Sequence, residues 1–446
     1  MNIRNLFKGQ ERTVKAKKNI VASIFLKGID GIVYLLLVPV TLGYLNQYEY
    51  GIWLTLNSIL MWINSFDIGL GNGMRNRLAE SMAKDNRQLG RIYVSTTFFM
   101  LIGLMGLLIF FGTICEPFID WYGILSTSQD QVPLLDEIVY VAFSIFCLNF
   151  IFKFIGNVYL AMQLPAINNM MVVSGHLLSL IVIYILTLTT PGSLFWVAVV
   201  YSASPLVIYL IAYPITFKKI YPFLSPTIQC FKKEYLKNLF GISFQFFLLQ
   251  LSGILLFAFA NLLISHMFGP ENVTPYNIAY RYFSLVPMIM NLILAPMWSA
   301  TTDAYAKGDI NWIKLTIIRI RKILVIATIC IVIMIVISKW VYNIWIAQEV
   351  HIPLTMSILM GLYVCIVIWS LTYSSFLNGL GKLKVQTINT LIVSVLFLPI
   401  SYILGSFFSI YGIIFSMCLL NISGLILNIF QFKLIVNEKA NGIWGK

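Results

Sequence analysis

The chain has 446 residues, of which 59% are hydrophobic and only 11% charged, and its mean hydropathy is +0.86. An ordinary soluble domain carries charge on about a quarter of its residues, so these values exclude one and place the chain in a membrane. The formal net charge of +13 does not call for nucleic acid, because a polytopic membrane protein needs cationic loops to orient it.

Residues 1–18 form a basic arm with Arg4, Lys8, Arg12, Lys15, Lys17 and Lys18. The apolar segment that follows is too long for a signal peptide and lacks a small-residue cleavage site, so it is expected to remain as the first span. Twelve apolar segments can be placed, at roughly 19–42, 50–72, 92–113, 138–162, 168–188, 194–217, 240–265, 274–301, 320–341, 353–378, 385–405 and 410–432. Each is long enough to cross a bilayer as a helix, and none shows the short alternation of a barrel strand. With the N-terminus inside, 26 of the 30 Lys and Arg residues fall in the arm, the tail and alternate loops, whereas the opposite loops hold Lys339 alone. The longest loop on that opposite side, 114–137, carries Glu116, Asp120, Asp130, Asp136 and Glu137 and no cation. The positive-inside rule therefore predicts both termini on the cytoplasmic side.

The basic stretch 217–238 divides the spans into two sets of six. This predicts an N-lobe over 19–217, a cytoplasmic linker over 218–239, a C-lobe over 240–432 and a cytoplasmic tail over 433–446. The stretch around spans 2 and 3 is echoed around spans 8 and 9, each ending in an Ala-rich turn with Lys and Asp. Such an echo suggests parallel repeats related by an axis along the membrane normal, with a substrate site between the halves. The six cysteines lie mostly in apolar runs without a C-x-x-C pair, and suggest neither a disulfide framework nor a metal site.

One stretch, "SFDIGLGNGMRNRLAE" at 65–80, has glycines at 69, 71 and 73. The spacing is not that of a dinucleotide turn, and no P-loop lysine follows. The expectation is instead that span 2 leaves the bilayer here, with the glycines allowing close packing and a turn, and Asp67 one to two turns inside. Arg75 and Arg77 then reach lipid phosphate level, either as orienting anchors, the favoured reading, or as contacts for an entering anionic group.

The run from "YGIW" at 50–53 through "FDIGLGNGMRNRLAE", the turn "AESMAKDNRQLGR" and "LNGLGKLKVQTINTLI" at 377–392 resemble the Wzx-type flippases of O-antigen and polysaccharide repeat units. This branch belongs to the superfamily that also contains the MATE drug exporters. The resemblance extends over all twelve spans. It implies an all-α membrane protein of two six-helix lobes in a bacterial inner membrane, without a cofactor. It also implies transfer of an undecaprenyl-pyrophosphate-linked oligosaccharide from the inner to the outer leaflet, coupled to an ion gradient. The polysaccharide polymerase machinery is a further candidate partner.

Charges left inside the spans are the residues most informative about mechanism, because each costs about 2.5–3.5 kcal/mol or more at the centre of a membrane helix if it faces lipid. They are Lys27, Lys153 and Arg281 among the cations, and Asp30 and Asp67 among the anions. Lys27 and Asp30 share a face of span 1 with Ser23 and Tyr34, as a structural ion pair or as part of a polar cavity. Asn57, Asn64 and Asp67 lie near one face of span 2, Asn149, Lys153 and Asn157 form a stripe on span 4, and Asn277, Arg281 and Ser284 lie together on span 8. The cations exceed the anions by one, which suits an anionic ligand such as pyrophosphate; Asp30 and Asp67 are the candidates for ion coupling. His176, with Ser179 one turn on, reads either as a hydrogen-bonded packing residue, which is favoured, or as a proton relay.

A MATE-like exporter of small cations would share this architecture, but its cavity should be net negative. A membrane-bound polymerase or glycosyltransferase would need acids, bases or metal ligands gathered at one membrane face, and no such constellation is visible.

Overall fold

The computed structural model describes residues 11–65, 70–236, 259–306, 308–346 and 350–445, and these are helical apart from short connections. The first helices are α1 (Glu11–Tyr44), α2 (Gln47–Leu60), α3 (Leu70–Ala83), α4 (Arg87–Cys115) and α5 (Trp121–Leu125). They are followed by α6 (Leu135–Ala161), α7 (Pro165–Thr189) and α8 (Leu194–Pro214). Beyond a short helical stretch, Phe259–Phe268, come α9 (Val273–Ala306), α10 (Ile310–Trp345), α11 (Leu354–Gly379) and α12 (Lys384–Val436). Eight of the helices in the described residues are long and apolar enough to cross a membrane. The protein is an all-α membrane protein.

Local sequence explains where these helices start. Asn46 opens α2 with a reciprocal cap: its Oδ1 accepts from Glu49 N at 2.8 Å, while Glu49 Oε2 accepts from Asn46 N at 3.3 Å. Asn86 and Asp309 cap α4 and α10 in the simpler way, accepting from Leu89 N and Trp312 N. The 53-residue α12 contains the last two expected spans, joined at Ser409, whose φ of 57° and ψ of −150° interrupt the helix. Ser401 and Ser416, both buried, meet at 2.5 Å across this break, so the two arms fold back on each other. Gly412 permits that hairpin, since a Cβ there would collide with the Leu404 carbonyl oxygen.

One expectation needs correction. Gly71 and Gly73 do not form a turn: α2 ends at Leu60, a 3-10 segment covers Met61–Ser65, and both glycines lie inside α3, which continues to Ala83, while Gly69 lies outside the described residues. The turn comes at residues 84–86, where Asn86 can cap the next helix, because glycine flanked by helix formers is tolerated in a helix when its bare face is packed. The described part of the expected linker, 218–236, is tied to the first unit. Arg91 Nε donates to Ser225 O at 2.9 Å, the Thr227 and Lys232 amides donate to Ser95 Oγ and Thr96 Oγ1 at 3.2 Å, and Tyr235 packs edge-on against Tyr93. Ser95 and Thr96 are fully buried, so these hydroxyls bind the segment to the start of α4. Asp67 and most of the seventh expected span, 240–258, lie outside the described residues.

The chain divides into two compact units, residues 1–250 and 251–446. In the first, α1 packs mainly on α7, and α6 on α8; in the second, α11 packs against both α9 and α12.

Candidate functional site

In the first unit the polar residues of α1 and α7 form a register. Asn169 Nδ2 donates to Ser23 Oγ at 2.5 Å, His176 Nδ1 lies 2.6 Å from Asp30 Oδ1, and the hydroxyls of Tyr44 and Thr190 are 2.9 Å apart. The partners in all three pairs are separated by 146 residues, and successive pairs step forward along both helices by seven and then fourteen residues. The two helices are therefore parallel, and the seven-residue step is the coiled-coil repeat that keeps one seam facing its partner. In the same register, the skipped position holds Leu37 and Ile183, both fully buried. An apolar layer thus separates the Asp30–His176 pair from the Tyr44–Thr190 pair. Parallel direction is what the expected topology requires of spans 1 and 5.

The Asp30–His176 pair is the focus of this site. The imidazole donates from Nδ1 to the carboxylate, and the side chains keep 26% and 35% exposure, Asp30 the lower. Neither group is sealed in the helix interface, so a proton or a water can reach both. Gly175, directly before His176, sets how closely α7 meets α8: a Cβ there would lie 3.0 Å from the Pro205 Cα.

Sequence reasoning did not find the partner of Asp30. Lys27 does not pair with it; the Lys27 side chain is exposed and makes no ion pair among the described residues. The physical reason is that the imidazole approaches from a packed neighbouring helix, whereas the lysine lies on the outer side of its own. A signal for the partner existed in the matched seven-residue spacing of Ser23 and Asp30 with Asn169 and His176, but it becomes readable only once α1 and α7 are known to pack.

The remaining expected site residues are distributed as follows. On α6, Asn149 and Asn157 are half-buried and Lys153 is exposed, while Phe150, Ile151, Phe154 and Ile155 are buried, so the polar stripe lies on the open side of the helix. Asn57 on α2 is half-buried, and Asn64 falls in the 3-10 segment. Arg75 and Arg77 are exposed on α3, where Arg77 and Lys84 both bond to Glu80, at 3.0 and 2.9 Å. The Glu80 carboxyl is held below its ordinary range first by the hydrogen bond from Lys84 and then by that from Arg77.

In the second unit Arg281 is buried, with 6% exposure, and Asn277 one turn before it is buried as well. The Asn277 amide donates to Asn261 Oδ1 at 2.9 Å and to the Val273 carbonyl at 3.0 Å. It acts as an interhelical link. The structure thus brings Asp30 together with His176, and buries Asn277 and Arg281 one turn apart on α9. Lys27 and Lys153 belong to the first unit and Arg281 to the second.

The family described as polysaccharide biosynthesis protein matches residues 16–301. A Salmonella typhimurium protein provisionally designated an O-antigen transporter is 22% identical over 455 residues, covering 99% of this chain and 96% of that protein. A Yersinia pseudotuberculosis protein provisionally designated an O-antigen export protein is 22% identical over 362 residues, covering 78% and 79%. Among solved structures, an inward-facing multidrug resistance MATE family transporter of the MOP superfamily matches with a TM-score of 0.79 at 14% identity, covering 94% of this chain and 98% of that one. The fold is MATE-like.

Proposed function

Because the chain belongs to the polysaccharide biosynthesis protein family, we propose that it is a flippase that carries an undecaprenyl-pyrophosphate-linked oligosaccharide repeat unit from the inner to the outer leaflet. Transport proceeds by alternating access, with both termini cytoplasmic, in the bacterial inner membrane. The observation that carries this reading is the family match through the first eight spans, joined to full-length similarity with a protein provisionally assigned to O-antigen transport. The chemistry of the spans supports it. The candidate cations for a pyrophosphate are Lys27 and Lys153 in the first unit and, separately, Arg281 in the second, whose guanidinium has the geometry for a bidentate pair.

Asp30 is the coupling carboxylate of this proposal, with His176 as its partner. A proton that binds Asp30 or His176 more tightly in one orientation than in the other shifts the population between the two, by an amount set only by that difference in affinity. Asp67 remains a second coupling candidate. The test is flipping of a labelled lipid-linked repeat unit in proteoliposomes with and without an imposed proton or sodium gradient. Wild type should respond to the gradient, and Asp30→Asn should flip at a gradient-independent rate. Failure of the wild type to flip the lipid, with gradient-driven efflux of a small organic cation instead, would replace the flippase by an exporter.

A further inference from the structure

The second unit contains a cavity of about 210 Å³ between α11 and the two arms of α12. Its polar lining includes Ser370 and Ser374 from α11, Gln386 and Asn389 from the first arm, and Asn421 and Asn428 from the second. No lining residue carries a charge. A single bridging water needs roughly 10–15 Å³ of such space, so this cavity is more than ten times larger than a structural water requires. Most of the lining side chains are half-buried, so the cavity opens out of the unit; with this many amides at its wall, the mouth must face water and not hydrocarbon.

Amides between membrane helices commonly serve as packing links, and part of the lining does so. Ser374 Oγ donates to Gln386 Oε1 at 2.9 Å, Ser423 Oγ to Asn389 Oδ1 at 3.0 Å, and Asn428 Nδ2 to Ser370 Oγ at 3.1 Å. These bonds leave capacity unused. Gln386 Nε2, Asn389 Nδ2 and Asn421 Oδ1 make no hydrogen bond among the described residues, and Asn421 Nδ2 bonds only to the Met417 carbonyl of its own helix. The free groups are two donors and one acceptor, all neutral, beside the apolar side chains of Val367, Leu371 and Val393. Gly424 keeps the wall open, since a Cβ there would come within 3.3 Å of Asn389 Nδ2.

A ligand for such a surface must both donate and accept hydrogen bonds, carry no charge and present an apolar face. A pyranose ring has hydroxyls of both kinds at its rim and C–H groups on its faces. We propose that this pocket is a carbohydrate subsite that takes one neutral sugar ring of the lipid-linked glycan, an inference that rests on the flippase reading above. Its location agrees with loading from the cytoplasm. The pocket lies within a few turns of the α11–α12 junction, which carries Lys382 and Lys384, and of Lys433 near the end of α12, the basic and so cytoplasmic end by the positive-inside rule.

The test uses the full chain in detergent and two probes, undecaprenyl pyrophosphate alone and the same lipid bearing a host's repeat unit. Asn421→Leu removes an acceptor without breaking an interhelical bond, and Gln386→Leu serves as a second variant. Each should weaken binding of the glycosylated lipid about tenfold, the equivalent of one hydrogen bond, and leave the bare lipid within about twofold of wild type. Equal affinities for the glycosylated lipid in wild type and both variants, or equal weakening of the two lipids, would overturn the subsite and leave the flippase reading intact. A second arm measures saturation-transfer NMR of methyl glycosides at millimolar concentration. If wild type binds neither lipid but binds a glycoside that Asn421→Leu loses, the subsite stands and the flippase reading falls. No glycoside signal together with no lipid binding overturns both.

Discussion

Breaking the Asp30–His176 pair should reveal a coupling energy of about 2 kcal/mol. Two unit charges about 4 Å apart attract by about 4 kcal/mol at an effective dielectric of 20, but 26% and 35% exposure lets solvent screen part of this. A hydrogen bond involving one charged group contributes about 1.5–3 kcal/mol, so half of the Coulomb figure is a consistent value whether or not the imidazole is protonated. His176→Phe leaves a half-buried carboxylate without its donor and should cost about 2 kcal/mol. Asp30→Leu leaves an imidazole that can be neutral and hydrated and should cost about 1 kcal/mol. The double variant replaces both partners with apolar groups and should be more stable than His176→Phe alone, since removing both members of a pair leaves nothing unsatisfied. Equilibrium unfolding of the purified chain in micelles, followed by tryptophan fluorescence, supplies the four stabilities. Additive costs, with a coupling below about 0.5 kcal/mol, would refute the pair as an energetic link between α1 and α7.

Gly175→Ala should destabilise by about 1–3 kcal/mol, because its Cβ would press on the Pro205 backbone at 3.0 Å, whereas Gly28→Ala, with nothing within 4 Å, should be neutral or mildly stabilising; thermal unfolding of both variants makes the comparison. The Glu80 cluster should tighten the end of α3 in a pH-dependent way. Its carboxyl is depressed from 4.5 by Lys84 and then Arg77, so its contribution is complete above that value and is lost as pH falls through the lowered folded value. Hydrogen exchange at residues 84–86 should lose protection over that acid range in wild type, and not in Glu80→Gln. A single cysteine at position 130 on a cysteine-free background should react with an impermeant reagent in intact cells, and one at position 229 should not; both sites are exposed, so labelling at 229 would overturn the orientation.

Membrane residence, helical spans and the basic stretches between them followed from the sequence alone. A hydrocarbon solvent imposes length and apolarity on each span separately, and the loop charges need no knowledge of packing. The break between the last two spans was equally local: it was expected between residues 405 and 410 and occurs at Ser409. At 70–83 the structure departs from the sequence reading: three glycines in five residues suggest a turn, yet Gly71 and Gly73 are helical and buried in α3. Tertiary structure alone decided the partner of Asp30. Lys27 was its neighbour by spacing, but a parallel α7 in seven-residue register brought His176 to 2.6 Å. Tertiary structure also created the neutral pocket, since Gln386, Asn389 and Asn421 look like scattered polar residues on two apolar spans until the hairpin at Ser409 folds those spans together. Helix periodicity determines which face a residue occupies, and packing determines what that face meets.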